Sequence, residues 1–184
     1  MKKIITFSAS NSKNSINRTL LEIAGKKITG HNVTSVDIRD YSLPFYSVDT
    51  EEREGIPEIA MQLKSLFTEN DAFIFSIPEH NGGSPAVFKN LIDWLSRIGE
   101  QSDSTFAGKP VLLLSTSPGA NGGATNLASL TQLLPWQGAK IINSFSLGSF
   151  YDTVVDGKLL AEQDEQLKSV ISDFLISLQV AELV

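Results

Sequence analysis

The 184-residue chain carries a net charge of −6 and no cysteine, which excludes disulfides, thiolate catalysis and zinc-thiolate sites. With a pI of about 4.9 it shows no basic footprint for nucleic acid, so an anionic ligand must be held by local donors rather than by the overall field. No run approaches the ~20 apolar residues of a membrane helix, and the apolar run in Met1–Phe7 is too short for a signal-peptide core. The expectation is therefore one cytoplasmic domain spanning residues 1–184, with no metal site.

In chain order, Lys3–Phe7 predicts a short strand. Ile16–Lys27 predicts a helix, with Ile16, Leu20, Leu21, Ile23 and Ala24 on one stripe. Asn32–Ile38 predicts the second strand. Tyr41–Glu58 is the longest irregular stretch, containing proline and acids, and reads as a surface excursion or an oligomer contact. Ile56–Phe67 predicts a helix with Pro57 in its first turn, and Asp71–Ile77 a third strand. Pro85–Ile98 predicts a helix capped by Ser84. Lys109–Ser115 holds Val-Leu-Leu-Leu, the continuous run of a strand buried on both faces. Ala124–Leu134 predicts a helix, Ala139–Phe145 a fifth strand and Glu162–Leu178 a closing helix.

Five strand–helix units in alternation define an α/β class: a doubly wound five-stranded parallel sheet of order 2-1-3-4-5, with helices on both faces and right-handed connections. Ligands of such sheets bind beyond the carboxyl ends of the strands, at the switch point between strands 1 and 3. The loops after strands 1, 3 and 4 are therefore the candidates.

The first loop, Ser8–Arg18, has four serines and three asparagines within ten positions and runs straight into a helix N-terminus. Hydroxyls, amides and free helix N–H groups there suit a phosphate, whereas one serine alone would read as an N-cap on a polar surface loop. The second loop is Pro78-Glu79-His80-Asn81-Gly82-Gly83-Ser84-Pro85, whose glycines permit backbone to approach a flat ligand. A capped turn accounts for Ser84 and Pro85 but not for Glu-His-Asn. The third loop, Thr116–Gly123, holds Gly119, Gly122 and Gly123; as a turn signal alone it is unspecific. Three donor- and glycine-rich loops at one sheet edge point to a planar cofactor bearing a phosphate.

At these residues the chain resembles the NADPH-dependent FMN reductase family, which includes chromate and quinone reductases and azoreductases. The family loop Gly-Ser-x-Arg-x-x-Ser-x-Asn is matched by Ala9-Ser10-Asn11-Ser12-Lys13-Asn14-Ser15-Ile16-Asn17. Its Pro-Glu-Tyr-Asn-Gly-Ser-x-Pro and Leu-Lys-Asn-x-x-Asp-Trp motifs are matched by Pro78–Pro85 and Phe88-Lys89-Asn90-Leu91-Ile92-Asp93-Trp94. Its Gly-x-x-Gly-Gly is matched by Gly119, Gly122 and Gly123. Three positions depart: Ser12 stands for the loop arginine, Ala9 for the first glycine and His80 for the tyrosine.

The resemblance implies a flavodoxin-like fold, bound FMN, and NADPH or NADH as electron donor. It assigns Ser10, Ser12, Ser15, Ile16 and Asn17 to the phosphate. Pro78, Glu79, His80, Asn81 and Gly82 would line the ring, largely through backbone, with Ser117, Gly119 and Gly122 approaching from the third loop. It also implies a homodimer or homotetramer, and small oxidants such as quinones, azo compounds, flavins or metal oxyanions as acceptors. The flavin carries the chemistry, so no catalytic side chain is required; His80 is the one candidate, as a group titrating beside the substrate face or as a solvent-facing backbone position. The alternatives are a flavodoxin-type electron carrier, which the missing Thr-x-Thr-Gly-x-Thr loop disfavours, and a flavin-free interaction protein. Asp93 and Trp94 are read as helix packing or capping partners, Lys89 and Arg97 as surface charges, Trp136, Phe150 and Tyr151 as core, and His31 as a solvated turn residue.

Overall fold

A computed structural model describes residues 1–99 and 104–180. Its centre is a parallel sheet in the order β2-β1-β3-β4-β5, built from β1 (Lys3–Ser8), β2 (Asn32–Asp37), β3 (Ala72–Ser76), β4 (Pro110–Thr116) and β5 (Lys140–Leu147). Strand alternation sends Ile5, Phe7, Phe73, Phe75, Val111 and Leu113 to one face and Ile4, Ile74, Leu112 and Leu114 to the other. The first set meets α3 (Glu58–Glu69), α4 (Ala86–Leu95) and α5 (Ala124–Leu133) through Leu63, Phe67, Phe88, Leu91 and Leu127. The second set meets α1 (Ile16–Gly25) and α7 (Ala161–Val180) through Leu20, Leu21, Leu167, Ile171 and Phe174. The expected strand order and two-sided helix cover are thus what the chain adopts.

The irregular stretch after β2 is stapled to α4. Pro44 O accepts from Asn90 Nδ2 at 3.0 Å and from Trp94 Nε1 at 2.8 Å, and Tyr46 N–H donates to Asn90 Oδ1 at 2.8 Å. It then forms a short helix, α2 (Val48–Glu54), capped by Ser47 and tied back by Glu51 to Arg97 of the turn after α4. Trp94 is therefore the packing residue expected, Asp93 pairs with Lys89, and Arg97 is the exposed surface charge expected, here paired with Glu51.

Three expectations need correction. Ser84 does not cap α4: Pro85 occupies the cap position, and Ser84 sits one residue too early to reach the first-turn N–H groups, donating instead to Asn126 Oδ1 at 2.8 Å. Pro57 likewise precedes α3 rather than lying in its first turn. Trp136 and Tyr151 are 87% and 69% exposed, because Leu134 and Phe150 take the inward positions of their turns. After α6 (Phe150–Thr153), a two-stranded ribbon of β6 (Val154–Val155) and β7 (Lys158–Leu159) turns on Asp156-Gly157, both at positive φ. That Asp-Gly pair was the available signal for a hairpin.

Candidate functional site

The carboxyl ends of β1, β3 and β4 lie side by side, so their three loops share one edge. The ladder runs past the strand ends: Ala9 N–H donates to Ser76 O at 3.0 Å and Ile77 N–H to Leu114 O at 2.9 Å. Asn17 ties the first turn of α1 to the ends of β3 and β4. Its Nδ2 donates to Thr116 O at 2.9 Å, and its Oδ1 accepts from Thr116 N–H at 3.1 Å and from Ser76 Oγ at 3.2 Å. The amide copies a backbone partner for the end of β4 and is buried. The Asn17 side chain, expected at the phosphate, is therefore spent on the sheet, and its contribution to an anion is its N–H.

In the first loop, Ser10 is buried and its Oγ accepts from Ser12 N–H at 3.3 Å, a short serine turn. Ser15 is the N-cap of α1, its Oγ accepting from Arg18 N–H at 3.2 Å. Among the described residues, the N–H groups of Ile16 and Asn17 are left without a protein partner, as the first positions of a helix must be. Hydroxyls of Ser10, Ser12 and Ser15 with two open helix N–H groups form a donor set that fits a phosphate dianion. Behind the loop stands Arg18, a residue to which the sequence assigned no role. Its Nη1 and Nη2 donate to the carbonyls of Lys13 and Ser12 at 3.0 and 3.1 Å, and its Nε to Asp37 Oδ2 at 2.8 Å. Asp37, at the end of β2, also accepts from the side chain and N–H of Arg39. Burial pushes its carboxyl up, but the hydrogen bonds from Arg39 and the charges of Arg18 and Arg39 outweigh it and hold the group below its ordinary value.

The second loop folds as a tight turn. His80 and Gly83 exchange N–H···O bonds of 2.8 and 3.1 Å, with Asn81 at φ 52° and Gly82 at φ 81°. These are the φ signs of a type I′ turn, for which Asn-Gly is the favoured pair. Asn81 and Gly82 are thus explained by turn chemistry, and they, with His80, remain exposed. Glu79 points elsewhere: its Oε2 accepts from Asn126 N–H at 3.0 Å and Asn121 Nδ2 at 3.5 Å, placing a carboxylate at the N-terminus of α5. Asn126 Nδ2 in turn donates to Pro78 O at 2.9 Å. Asn126, which sequence reasoning passed over, binds loop two to α5 through its backbone and both ends of its amide.

The third loop is held from below. Ser117 Oγ donates to Gly119 O at 2.9 Å, and Ser149 N–H donates to the same carbonyl at 2.9 Å. Gly122 and Gly123 are buried at positive φ. A Cβ on Gly122 would lie 2.5 Å from Ser146 Oγ, and one on Gly123 would lie 2.0 Å from Ser115 Oγ. The close approach that requires glycine is to β5 and β4; of the third-loop candidates, Gly119 is exposed, Ser117 half-buried and Gly122 buried. A cavity of about 420 Å³ lies behind loop one, between β1, β2 and α1, where the buried Ser8 Oγ has no protein partner. The loops after β3 and β4 do not line that cavity.

A doubly wound sheet with a phosphate-type donor set at its switch point and exposed backbone beyond the next two strands defines a flavodoxin-like nucleotide-binding protein. Residues 2–152 match the NADPH-dependent FMN reductase family, and the chain belongs to that family. The quinone reductase of Escherichia coli K12 is 30% identical over 177 residues, covering 94% of this chain and 89% of that protein. The NAD(P)H-dependent FMN reductase of Pseudomonas aeruginosa is 30% identical over 184 residues, covering 97% and 94%. Among solved structures, a flavoenzyme NAD(P)H:(acceptor) oxidoreductase of Paracoccus denitrificans superposes with a TM-score of 0.78 at 25% identity, covering 97% of this chain and 98% of that one. The protein is an oxidoreductase that uses FMN and NAD(P)H.

Proposed function

We propose that the chain acts as one FMN-binding domain in the cytoplasm and uses NADPH or NADH to reduce small oxidants. Quinones come first; azo compounds, free flavins and metal oxyanions fall in the same range. The observation that carries this reading is the open edge: His80, Asn81, Gly82, Pro118 and Gly119 are exposed, while the Glu79 carboxylate is turned into α5. A flat acceptor can reach such an edge without passing a charged side chain of the ring-lining loops.

Ser10, Ser12 and Ser15, with the N–H groups of Ile16 and Asn17, would hold the phosphate. The backbone of Pro78–Gly82, with Ser117 and Gly119, would seat the ring. FMN, when bound, supplies the hydride-transfer chemistry itself. The chain's part is orientation and fixed donors. The Arg18 bonds hold the phosphate loop in place, and the Asn126 bonds hold the ring-lining loop, whose N–H groups then need no rearrangement where negative charge develops. A general acid, base or nucleophile is not needed for that work. A homodimer or homotetramer belongs to the same reading, supported by Phe45 and Val48, 80% and 58% exposed beside α4.

The test is a purified protein loaded with FMN and mixed with NADPH or NADH without oxygen. Absorbance near about 450 nm should bleach and return on adding benzoquinone, because isoalloxazine absorbs there only when oxidised. A holoprotein that consumes neither donor would be a carrier, and the reading would fail.

A further inference from the structure

Arg18 makes three hydrogen bonds, and two of them go to consecutive carbonyls of the first loop. In a trans peptide the C=O and the following N–H point in opposite directions. Drawing the Ser12 and Lys13 carbonyls onto one guanidinium therefore turns the N–H groups of Lys13 and Asn14 away from it. Among the described residues neither N–H has a protein partner. The third bond, to Asp37, holds the guanidinium in place, since Asp37 is gripped from its other side by Arg39. The Arg18 and Asp37 side chains are each 18% exposed, so the fork is braced against α1 and β2 and not waving in solvent.

We propose that Arg18 is the positioning residue of the phosphate seat, acting through the loop backbone. A planar fork suits that role because its donors are spread over three nitrogens, each reaching a different acceptor, whereas a lysine would have to serve all three from one nitrogen. The inference rests on the first loop being the phosphate seat.

The experiment compares FMN with riboflavin, which lacks the phosphate, in titrations of flavin-stripped full-length protein followed by flavin fluorescence. Wild type should bind FMN far more tightly than riboflavin. Arg18→Gln should raise the FMN Kd about ten- to hundredfold, and Arg18→Lys about three- to tenfold, with riboflavin changed less than about twofold. Equal losses for both ligands would make Arg18 merely structural and overturn the proposal. Full FMN preference in Arg18→Lys would overturn it too, since charge without the fork would then suffice; this variant decides the matter if Arg18→Gln does not fold. A wild type that binds both flavins equally would instead overturn the phosphate-seat reading itself.

Discussion

At the residue scale, the candidate site depends on buried polar side chains whose partners lie elsewhere in the chain. Asn17 satisfies Thr116 at both its N–H and its C=O, and Ser76 at its hydroxyl, in the buried space beneath α1. Asn17→Ala leaves these groups without partners, each worth roughly 1–3 kcal/mol when buried and unpaired. The variant should lose about 3 kcal/mol or more in urea unfolding, even with no flavin present; an unchanged midpoint would mean that water replaces the amide. The motif asparagine was legible in the sequence, but its partner was not, because residues 17 and 116 are far apart in the chain and only the sheet brings them together. Gly122 and Gly123 teach the same lesson. A Gly-Gly pair after a strand reads as room for a ligand, and here the room is filled by Ser146 and Ser115.

At the element scale, helices are pinned to each other as well as to the sheet. Asp164, in the first turn of α7, bonds Lys27 just past α1 and Lys168 one turn along. The hydrogen bonds from Lys27 and then Lys168 hold its carboxyl below the ordinary value, against the opposing effect of burial. A depressed folded pKa stabilises above the unfolded value of about 3.9 and loses that stabilisation as pH falls through the folded one. Wild type should therefore exceed Asp164→Asn by a few tenths to about 1 kcal/mol at pH 7, and the gap should close between about pH 4 and pH 2. Denaturant melts of both proteins across that range check it; a constant gap would assign the effect to packing. The boundaries of α4 and α3 show why element ends were harder to read than elements. Pro57 and Pro85 keep an extended ψ of 135° and 138° and so take the cap positions themselves, and both helices start one residue later, leaving Ser84 free for Asn126.

At the scale of the whole molecule, two of the exposed apolar side chains, Phe45 and Val48, lie on the surface excursion beside α4. Phe45 and Val48 project there, on a segment that Pro44 and Tyr46 fix to Asn90 and Trp94. A rigidly held exposed aromatic suits a symmetric contact between two copies. Light scattering of the wild type should return two or four times the chain mass of 20.0 kDa, and Phe45→Glu should lower it. A monomer at micromolar concentration would remove the oligomer from the proposed function.

The sequence by itself determined the sheet and its order, because period-2 and period-3.6 apolar patterns are local and alternate five times. It also determined which three loops share an edge, since that follows from strand order alone. Only the tertiary structure decided which atoms of those loops are free. Hydrogen-bond donors and acceptors are used up by partners distant in sequence: Asn17 by Thr116, Glu79 by Asn126, and the loop carbonyls by Arg18, itself braced on Asp37. Residue type and spacing show what a side chain can offer, but only packing shows whether another part of the chain has already taken it.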